Sequence, residues 1–426
     1  MPGHKGVAVL GMESLDITEI SGADSLYEAD GIIAESERNA SALFGANTFY
    51  STEGSSQCIR AMLYLALLHA RGQGIARPRI AAGRNAHKTF LSAVALLDLD
   101  VTWLYPDAAD SYLTCAVTAP MLERLFAEGE KPTAVYVTSP DYLGNTVDVA
   151  ALAEVCHRHG AQLLVDNAHG AYLKFLSPSR HPMDLGADLC CDSAHKTLPV
   201  LTGGAYLHIS PSASFASVGE AKRALAMFGS TSPSYLILQS LDATNPILAE
   251  SFAADLSALT ERVALCRRAL EACGYVCVGD EPTKLTICPK TYGYTGTELA
   301  QILREQSIEC EFADPDYLVL MFTPACSGED ILYLSDILGK VPRRAAITEV
   351  PPAVRKPERV MSVREAAFAP CETVPAAESV GRILAAATVG CPPAVPIVVS
   401  GERIDESAVA QFAYYGIESC VVVREQ

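Results

Sequence analysis

A lysine between two apolar segments is the first residue of this sequence with a clear chemical interpretation. Lys196 follows the apolar run Ala187–Cys191 within Asp-Ser-Ala-His-Lys-Thr, and Gly203-Gly204 then leads into a second apolar run, Ala205–Ile209. A desolvated ammonium group is costly and its pKa falls, which makes the amine a nucleophile toward carbonyl groups. The pattern therefore indicates Schiff-base chemistry at Lys196, although the local motif alone is more typical of an exposed loop lysine.

Other polar residues share the position of this lysine relative to predicted strands. His87, Ser139, Asp166 and His169 each follow a short apolar run, as Lys196 does. The runs before the first four residues predict strands at Arg79–Ala82, Ala134–Thr138 and Gln162–Val165. In open α/β sheets, ligands bind at the carboxyl ends of the strands. The common placement of the five residues therefore favours a site over independent surface positions.

A glycine and two serines precede a predicted apolar helix. Gly54-Ser55-Ser56-Gln57 leads into the helix Cys58–His69. The N–H groups at a helix N-terminus attract anions, and serine hydroxyls add donors, so this turn is a candidate phosphate cradle. Serine also caps many helices that bind nothing, and the sequence leaves both interpretations open.

The order of predicted elements indicates an α/β fold. From about residue 50 to 200, strands alternate with helices such as Thr89–Leu97, Leu113–Ala127 and Val149–His159, which predicts a mainly parallel, doubly wound sheet. The predicted domains are an N-terminal segment (1–45), a large domain (46–265), a small α/β domain (266–340), a linker (341–360) and a C-terminal α+β domain (361–426). In the last of these we predict a helix at Pro375–Ala386 and strands at Ile397–Val399 and Cys420–Val423.

Composition excludes several classes of protein. The 426 residues are 50% hydrophobic and carry a net charge of −18, which argues against nucleic acid and anionic membranes as partners. The longest uncharged run contains Pro392, Pro393 and Pro396, which interrupt any membrane helix. No signal peptide opens the chain, and the 14 cysteines show no metal-ligand spacing. We therefore expect a cytoplasmic protein with reduced thiols and without a bound metal.

Eight stretches in order along the chain resemble one known family, the Orn/Lys/Arg decarboxylases. These are pyridoxal 5′-phosphate (PLP) enzymes with the aspartate-aminotransferase fold, also called fold type I. The stretches are PGHKG at 2–6, DITEISGADSLYEADG at 16–31, RNAHK at 84–88, TSPDYLGNTVDV at 138–149, VDNAHGAY at 165–172, DSAHKTLPVLTGGA at 192–205, TSPSY at 231–235 and VPIVVSGERI at 395–404.

The resemblance implies roles around the PLP ring. Lys196 would hold PLP as a Schiff base, Asp166 would pair with the ring nitrogen, and His87 would stack on the ring. His169 would lie beside Asp166. His195 would lie near the phosphate or the Schiff base.

The resemblance also implies a phosphate site shared between two subunits. Ser55 and Ser56, with Gln57, would hold the phosphate at the helix N-terminus, and Ser193 would lie close to it. Thr231 and Ser232 would reach the phosphate of the neighbouring subunit. The implied assembly is a homodimer with shared active sites.

Three departures from the family bear on substrate and assembly. Asn167 stands where members usually carry glutamate, and Gly203 stands where a larger polar residue is common. The chain begins almost at PGHKG, so we expect no N-terminal wing domain.

The implied reaction is α-decarboxylation of arginine, lysine or ornithine, with Lys196 or His195 returning a proton to Cα. A cationic substrate side chain needs a carboxylate partner, and the candidates are Asp24, Glu402 and Asp314. One alternative is another PLP reaction, an aminotransferase or a lyase, with Arg382 or Arg403 clamping the substrate carboxylate. A second alternative is a non-catalytic chain that keeps the fold for binding.

Overall fold

The computed structural model describes residues 2–106, 111–213, 217–353, 355–387 and 393–425. The strands are β1 (Asn47–Ser51), β2 (Arg79–Gly83), β3 (Asp100–Leu104), β4 (Ala134–Thr138), β5 (Gln162–Asp166), β6 (Leu189–Asp192), β7 (Ala205–Ile209), β8 (Val276–Val278), β9 (Lys284–Cys288), β10 (Phe312–Ala313), β11 (Leu318–Met321), β12 (Cys371–Pro375), β13 (Leu384–Ala386) and β14 (Ser419–Val423). The α-helices are α1 (Ile32–Phe44), α2 (Gly54–Gly72), α3 (Lys88–Leu97), α4 (Ala119–Ala127), α5 (Val149–Arg158), α6 (Ala194–Thr197), α7 (Val218–Ala226), α8 (Tyr235–Glu250), α9 (Phe252–Ala272), α10 (Gly296–Arg304), α11 (Gly328–Lys340), α12 (Val363–Ala367) and α13 (Glu406–Tyr414). Short 3-10 helices cover Leu26–Glu28, Ala171–Phe175, Pro289–Tyr292 and Ala376–Glu378.

The chain divides into two compact units, of which the first carries most of the large sheet. This unit comprises Met1–Ala81, Thr118–Ser139 and Asp148–Ala254. Its strands follow the order β1-β7-β6-β5-β4-β2. The strands β4, β5 and β6 are parallel, and β7 runs antiparallel to β6 and β1. Parallel strands covered on both faces have continuous apolar runs, as Ala134–Val137 in β4 and Leu163–Val165 in β5 do.

The parallel pairing brings four polar residues to one edge of this sheet. Thr138 pairs with Asp166 at the ends of β4 and β5, and Ser139 donates its backbone N–H to the carbonyl of Asp166 at 3.0 Å. Ser193 follows the last residue of β6 directly. The sequence prediction of a mainly parallel α/β sheet with polar residues at its strand ends is therefore confirmed.

The second unit comprises Ala82–Val117, Pro140–Val147 and Asp255–Gln426. Within it, β3 follows β2 in the sheet order, and the last two residues of β2 belong to this unit. A four-stranded antiparallel sheet has the order β10-β11-β9-β8, and a three-stranded sheet has the order β12-β14-β13. The two smaller sheets lie in the segments that the sequence analysis assigned to the small and C-terminal domains; the five domain boundaries themselves stay predictions.

The predicted helix Pro375–Ala386 is wrong. The chain instead forms the end of β12, a 3-10 turn and β13, and both strands pair with β14. Gly381 has a φ of +84°, a conformation that interrupts a helix and that glycine adopts at little cost. Because Leu384 and Val422 are buried in one hydrophobic cluster, tertiary packing decides the strand conformation.

The predicted strand Ile397–Val399 is also wrong, although all three residues are buried. The carbonyl of Ile397 accepts from the guanidinium of Arg84 at 2.9 Å. The N–H of Val399 donates to the carboxylate of Glu402 at 2.8 Å. The backbone groups are therefore satisfied by side chains, which apolar periodicity does not reveal.

Two helices begin at other residues than predicted. The helix predicted at Leu113 begins at Ala119, because the Thr118 hydroxyl caps it and Pro120 occupies its first turn. The turn predicted at Gly54–Gln57 is the first turn of α2.

Among the described helices, none has the combination of length and apolar sequence that crossing a membrane requires. No disulfide joins any of the cysteines in the described ranges.

Candidate active site

Lys196 lies in the four-residue helix α6, which is separated from β6 by Ser193 alone. Its Nζ lies 2.8 Å from Nε2 of His169, and the imidazole of His169 is buried. When Lys196 is charged its ammonium group can only donate, and Nε2 of His169 then accepts. The geometry pairs an amine with a nitrogen that can take its proton, which is what Schiff-base formation at a lysine requires.

Asp166 ends β5 as a buried carboxylate with defined donors. Its Oδ2 accepts from the Tyr136 hydroxyl at 2.8 Å, and its Oδ1 accepts from the N–H of Ala168 at 3.2 Å and from the thiol of Cys191 at 3.6 Å. Only 2% of the residue is exposed. These contacts fix the direction of the carboxylate, and burial strengthens its interaction with any cation placed against it.

Two hydroxyls meet at the N-terminus of α2. The Ser193 hydroxyl donates to that of Ser55 at 2.8 Å, and Ser55 lies in the first turn of the helix. The side chain of Gln57 is already used, because its Oε1 accepts from Ser51 at 2.5 Å and its Nε2 donates to Tyr27 at 2.9 Å. The side chain of Gln57 is therefore not available to an anion, while Ser55 and Ser193 offer hydroxyls.

The departure at Gly203 has a backbone explanation. Its φ is +99°, and a Cβ atom there would come within 2.9 Å of the Thr52 carbonyl oxygen and 3.0 Å of Ile237 Cδ1. Its carbonyl also accepts from the N–H of Gly54 at 2.8 Å, at the start of α2. Only glycine fits this conformation and spacing. We conclude that Gly203 holds the loop after Lys196 against the N-terminus of α2.

The remaining predicted site residues are placed as follows. His195 donates from Nδ1 to the carbonyl of Gly204 at 3.0 Å, since a carbonyl can only accept. Thr231 and Ser232 are exposed and follow Ser230, whose N–H donates to the carboxylate of Glu53 at 3.1 Å. The imidazole of His87 caps α3 in the second unit, where its Nδ1 accepts from the N–H of Thr89 at 3.1 Å.

A buried carboxylate accounts for the departure at Asn167. The Nδ2 of Asn167 donates to Oδ1 of Asp192 at 2.7 Å, and neither residue is exposed to solvent. The Nε2 atoms of His181 and His208 both lie 3.0 Å from Oδ2 of Asp192. We call Asn167, His181, Asp192 and His208 the Asp192 cluster. Its negative charge lies on Asp192 in β6. Asp192 is in direct contact with Asn167, the residue at the position where the family usually carries glutamate.

Hydrogen bonds define the charge of the Asp192 cluster. His181 Nδ1 accepts from the N–H of Met183 at 3.3 Å, so its proton is on Nε2 and the ring is neutral. Burial lowers the pKa of His208, which favours its neutral form as well. Burial alone would raise the pKa of Asp192, but the interactions with His181 and His208 outweigh it and hold that pKa below its usual range. The cluster therefore carries one negative charge at neutral pH.

Two of the three candidate carboxylates for a substrate side chain serve the fold instead. The Asp24 oxygens accept from the N–H groups of Gly31 and Ile33, both at 2.9 Å, and so cap α1. Glu402 pairs with Arg84 at 2.9 Å, and both side chains are buried. Asp314 differs, because among the described residues its Oδ2 has no hydrogen-bond partner.

Both arginines considered as a substrate clamp are also engaged in the second unit. Arg382 donates to Glu372 at 2.6 Å and to the carbonyl of Val423 at 3.0 Å. Arg403 donates to Glu358 and to the carbonyl of Gly381, both at 2.8 Å. These contacts join strands and loops of one unit, so neither guanidinium is held ready for a substrate carboxylate.

The first unit thus combines a lysine with an acceptor beside it, a buried carboxylate and a helix N-terminus with two hydroxyls. PLP offers an aldehyde, a basic ring nitrogen and a phosphate, and each of these three groups has a matching partner in the set. The mixed α/β sheet with this site at its strand ends defines the class of fold-type-I PLP enzymes.

Comparisons with known proteins identify the family. The model of the Orn/Lys/Arg decarboxylase major domain matches residues 10–273, and the model of the family's C-terminal domain matches residues 343–419. The chain is 30% identical to an arginine decarboxylase of Halalkalibacterium halodurans over 96% of its own length and 88% of that protein. An arginine decarboxylase of Bacillus subtilis is 29% identical over the same shares of the two chains. The chain belongs to the Orn/Lys/Arg decarboxylase family, a family of PLP-dependent amino-acid decarboxylases.

Solved structures support the fold. The structure of a lysine decarboxylase from Francisella novicida aligns with a TM-score of 0.80 at 16% identity, covering 100% of this chain and 78% of that one. The constitutive lysine decarboxylase of E. coli aligns with a TM-score of 0.76 at 17% identity, covering 100% and 79%. At such identities the likeness concerns the fold alone.

Sequence reasoning missed several residues of this site. Tyr136 lies inside an apolar strand, and its spacing of two from Thr138 was the one indication that it shares a face with the strand end. Asp192 stands among the polar residues that precede Lys196, and nothing in the sequence sets it apart from them. Nothing in the sequence connects His181 or His208 with it, because both contacts depend on the fold.

Proposed function

We propose that this chain binds PLP and decarboxylates a basic amino acid, arginine, lysine or ornithine, to the corresponding amine. The observation that carries the proposal is the contact between Lys196 and His169 on the sheet edge where Asp166 ends β5. The names of the two arginine decarboxylases support a basic substrate, and arginine is the first to test.

Each residue has a defined task in this proposal. Bound PLP supplies an electron sink for the pair left when CO₂ departs. Asp166 keeps the proton on the ring nitrogen, and the hydroxyl of Tyr136 holds the carboxylate in place. Ser55, Ser193 and the first N–H groups of α2 bind the phosphate. Lys196 carries the proton that returns to Cα, with His169 as its exchange partner.

The products distinguish decarboxylation from transamination. We expect CO₂ and the amine in equal amounts from arginine, lysine or ornithine, and no keto acid, because Arg382 and Arg403 are engaged elsewhere. Trapped CO₂ and chromatography of the amine measure both products. Keto acid without CO₂ would establish an aminotransferase in place of a decarboxylase.

Asp166→Asn tests the assigned partner of the ring nitrogen. The amide has the same shape but no charge, so we expect the variant to retain PLP while kcat falls by orders of magnitude. Tyr136→Phe removes only the hydroxyl that orients the carboxylate and should have a smaller effect. Rate measurements at saturating PLP separate the two effects. An unchanged kcat in Asp166→Asn excludes this role.

Complementation tests the proposed homodimer with shared sites. Thr231 and Ser232 are exposed, as residues that reach a neighbouring subunit must be before assembly. Lys196→Ala and the double variant Thr231→Ala/Ser232→Ala should each be nearly inactive. Mixed dimers of the two should regain activity, because one of their two sites then has all wild-type groups. Mixtures that stay as inactive as their parents after subunit exchange would show that the sites are not shared.

We also propose a cytoplasmic location. The support is the absence of disulfides among the cysteines of the described residues, several of which are buried.

A further inference from the structure

The second unit contains a cavity of about 480 Å³ with a charged and aromatic lining. Its walls come from the loop after β3, the 3-10 turn after β9, the β10–β11 turn, residues 350–353 and α13. We call it the Asp316 cavity. The lining residues that bear on its ligand are Tyr112, Lys290, Asp316, Gln411 and Tyr415.

The cation of the cavity has no donor left for an anionic ligand. Nζ of Lys290 donates to Oδ1 of Asp316 at 2.7 Å, to the carbonyl of Glu349 at 2.8 Å and to the hydroxyl of Tyr414. A lysine ammonium has three N–H donors, and these three contacts use all of them. The ion pair with Asp316 also neutralises the charge of Lys290. The lysine therefore shapes the wall and does not attract a phosphate or a carboxylate.

The groups that lack a partner in this wall are acceptors. Gln411 is 3% exposed, and its Nε2 donates to the carbonyl of Ala353 at 2.9 Å, which fixes the orientation of the amide. Within the part of the chain that the structure describes, Oε1 of Gln411 has no hydrogen-bond partner. A buried acceptor without a donor costs free energy, so the site favours a ligand that brings N–H groups.

A carboxylate oxygen and two aromatic rings beside this acceptor suit a donor that carries a positive charge. Oδ2 of Asp316 accepts from the Tyr415 hydroxyl at 3.2 Å, which leaves it a second lone pair. The rings of Tyr112 and Tyr415 both line the cavity, in an edge-to-face contact with their centroids 4.8 Å apart, and an aromatic lining suits a cation.

We propose that the Asp316 cavity binds a small primary amine or guanidinium cation through Gln411, Asp316 and the two tyrosine rings. Two sources provide this chemistry: the side chain of a basic amino acid, and a free amine that acts as an effector. With a free amine as its ligand the cavity acts outside the decarboxylation itself; with the substrate side chain as its ligand it rests on the proposed function and names a side-chain subsite for it.

Calorimetric titration of the PLP-loaded enzyme with agmatine tests the binding. Gln411→Leu removes the unpartnered acceptor, and Asp316→Asn removes the charge without changing the shape. We expect each variant to lose at least about tenfold in agmatine affinity at one site, as the loss of a charge-assisted or buried hydrogen bond implies. Gln306→Leu, at an exposed glutamine of the same unit, is the matched control and should bind as the wild type does.

Steady-state kinetics separate the two sources of the cation. A cavity for the substrate side chain predicts a raised KM for the amino acid in Gln411→Leu and competitive inhibition by agmatine. An effector site predicts an unchanged KM and the loss of a non-competitive effect of agmatine. Agmatine binding that is equal in the wild type and in Asp316→Asn overturns the proposal, even if Gln411→Leu fails to fold. The titration needs no turnover, so its result is independent of whether the proposed reaction holds.

Discussion

Replacing Lys196 by alanine should abolish turnover and the yellow colour of the bound cofactor together. The amine of Lys196 is the group that would join PLP, and it lies 2.8 Å from the only nitrogen assigned here as its proton acceptor, Nε2 of His169. Without the amine, PLP keeps only its phosphate and ring contacts, and the proton donor for Cα is lost as well. We expect kcat to fall at least about 10³-fold, as it does when a covalent catalyst is removed.

Two further variants make this prediction specific. Lys196→Arg keeps the positive charge but cannot form a Schiff base, so it should be as inactive as the alanine variant. Lys131→Ala changes an exposed lysine of the same unit and should leave both the spectrum and the rate unchanged. A Lys196→Ala protein that retains the cofactor spectrum and normal turnover shows that another lysine carries PLP.

Placing a carboxylate at position 167 should strongly destabilise this protein. In Asn167→Asp, a second carboxylate of the same shape replaces the amide whose Nδ2 lies 2.7 Å from Oδ1 of Asp192. Both residues are fully buried, so neither charge can be screened by water. We expect a loss of about 3–5 kcal/mol in the free energy of unfolding, the range for a buried charge without its partner. Chemical denaturation measures it, with Asn39→Asp at an exposed site of α1 as the control.

The pH dependence of this loss has a definite sign. Asp192 is already ionised, so the new carboxyl has a higher pKa in the folded chain than the value of about 3.9 in the unfolded one. The carboxyl at position 167 therefore binds its proton more tightly in the folded variant than in the unfolded one. As the pH rises from about 4 toward the folded-state pKa, the stability of the variant falls relative to wild type. The deficit should be larger at neutral pH than in weak acid.

Exchanging the carboxylate and the amide between positions 167 and 192 should restore stability. In the double variant Asn167→Asp/Asp192→Asn, the amide at 192 can donate to the new carboxylate and still accept from His181 and His208. We expect the double variant to be much more stable than Asn167→Asp alone, with a favourable coupling free energy between the two positions. If the double variant loses as much free energy of unfolding as the two single variants together, Asn167 and Asp192 do not interact as the structure has them.

The sequence was sufficient where local pattern and tertiary structure agree. The apolar runs of β4, β5 and β7 mark buried strands, and the polar residues after them lie at the sheet edge. The glycine and serines at 54–56 likewise mark a helix N-terminus, since they form the first turn of α2. These features predicted the α/β fold and placed Lys196 and Asp166 at strand ends, because each depends on a few neighbouring residues.

The remaining features depend on contacts between distant residues. The Asp192 cluster joins three segments, and no spacing in the sequence relates His208 to His181. Asp24 and Glu402 were candidates for a substrate contact because their hydrogen bonds to α1 and Arg84 are visible only in the fold. The segment of β13 is predicted as a helix because its pairing partner, β14, lies more than thirty residues later. Local propensity does not include the contacts with that partner, and these contacts stabilise the strand.

The measurement that tests the central claim most directly compares kcat/KM for CO₂ release from arginine, lysine and ornithine with that from leucine and methionine. A carboxylate that binds a cationic side chain rejects neutral analogues, because it would be left buried without a partner. We predict that at least one basic amino acid is preferred by about 10³-fold or more over both neutral ones. Equal decarboxylation of leucine and all three basic amino acids, or no CO₂ from any of them by the PLP-loaded protein, would contradict the account.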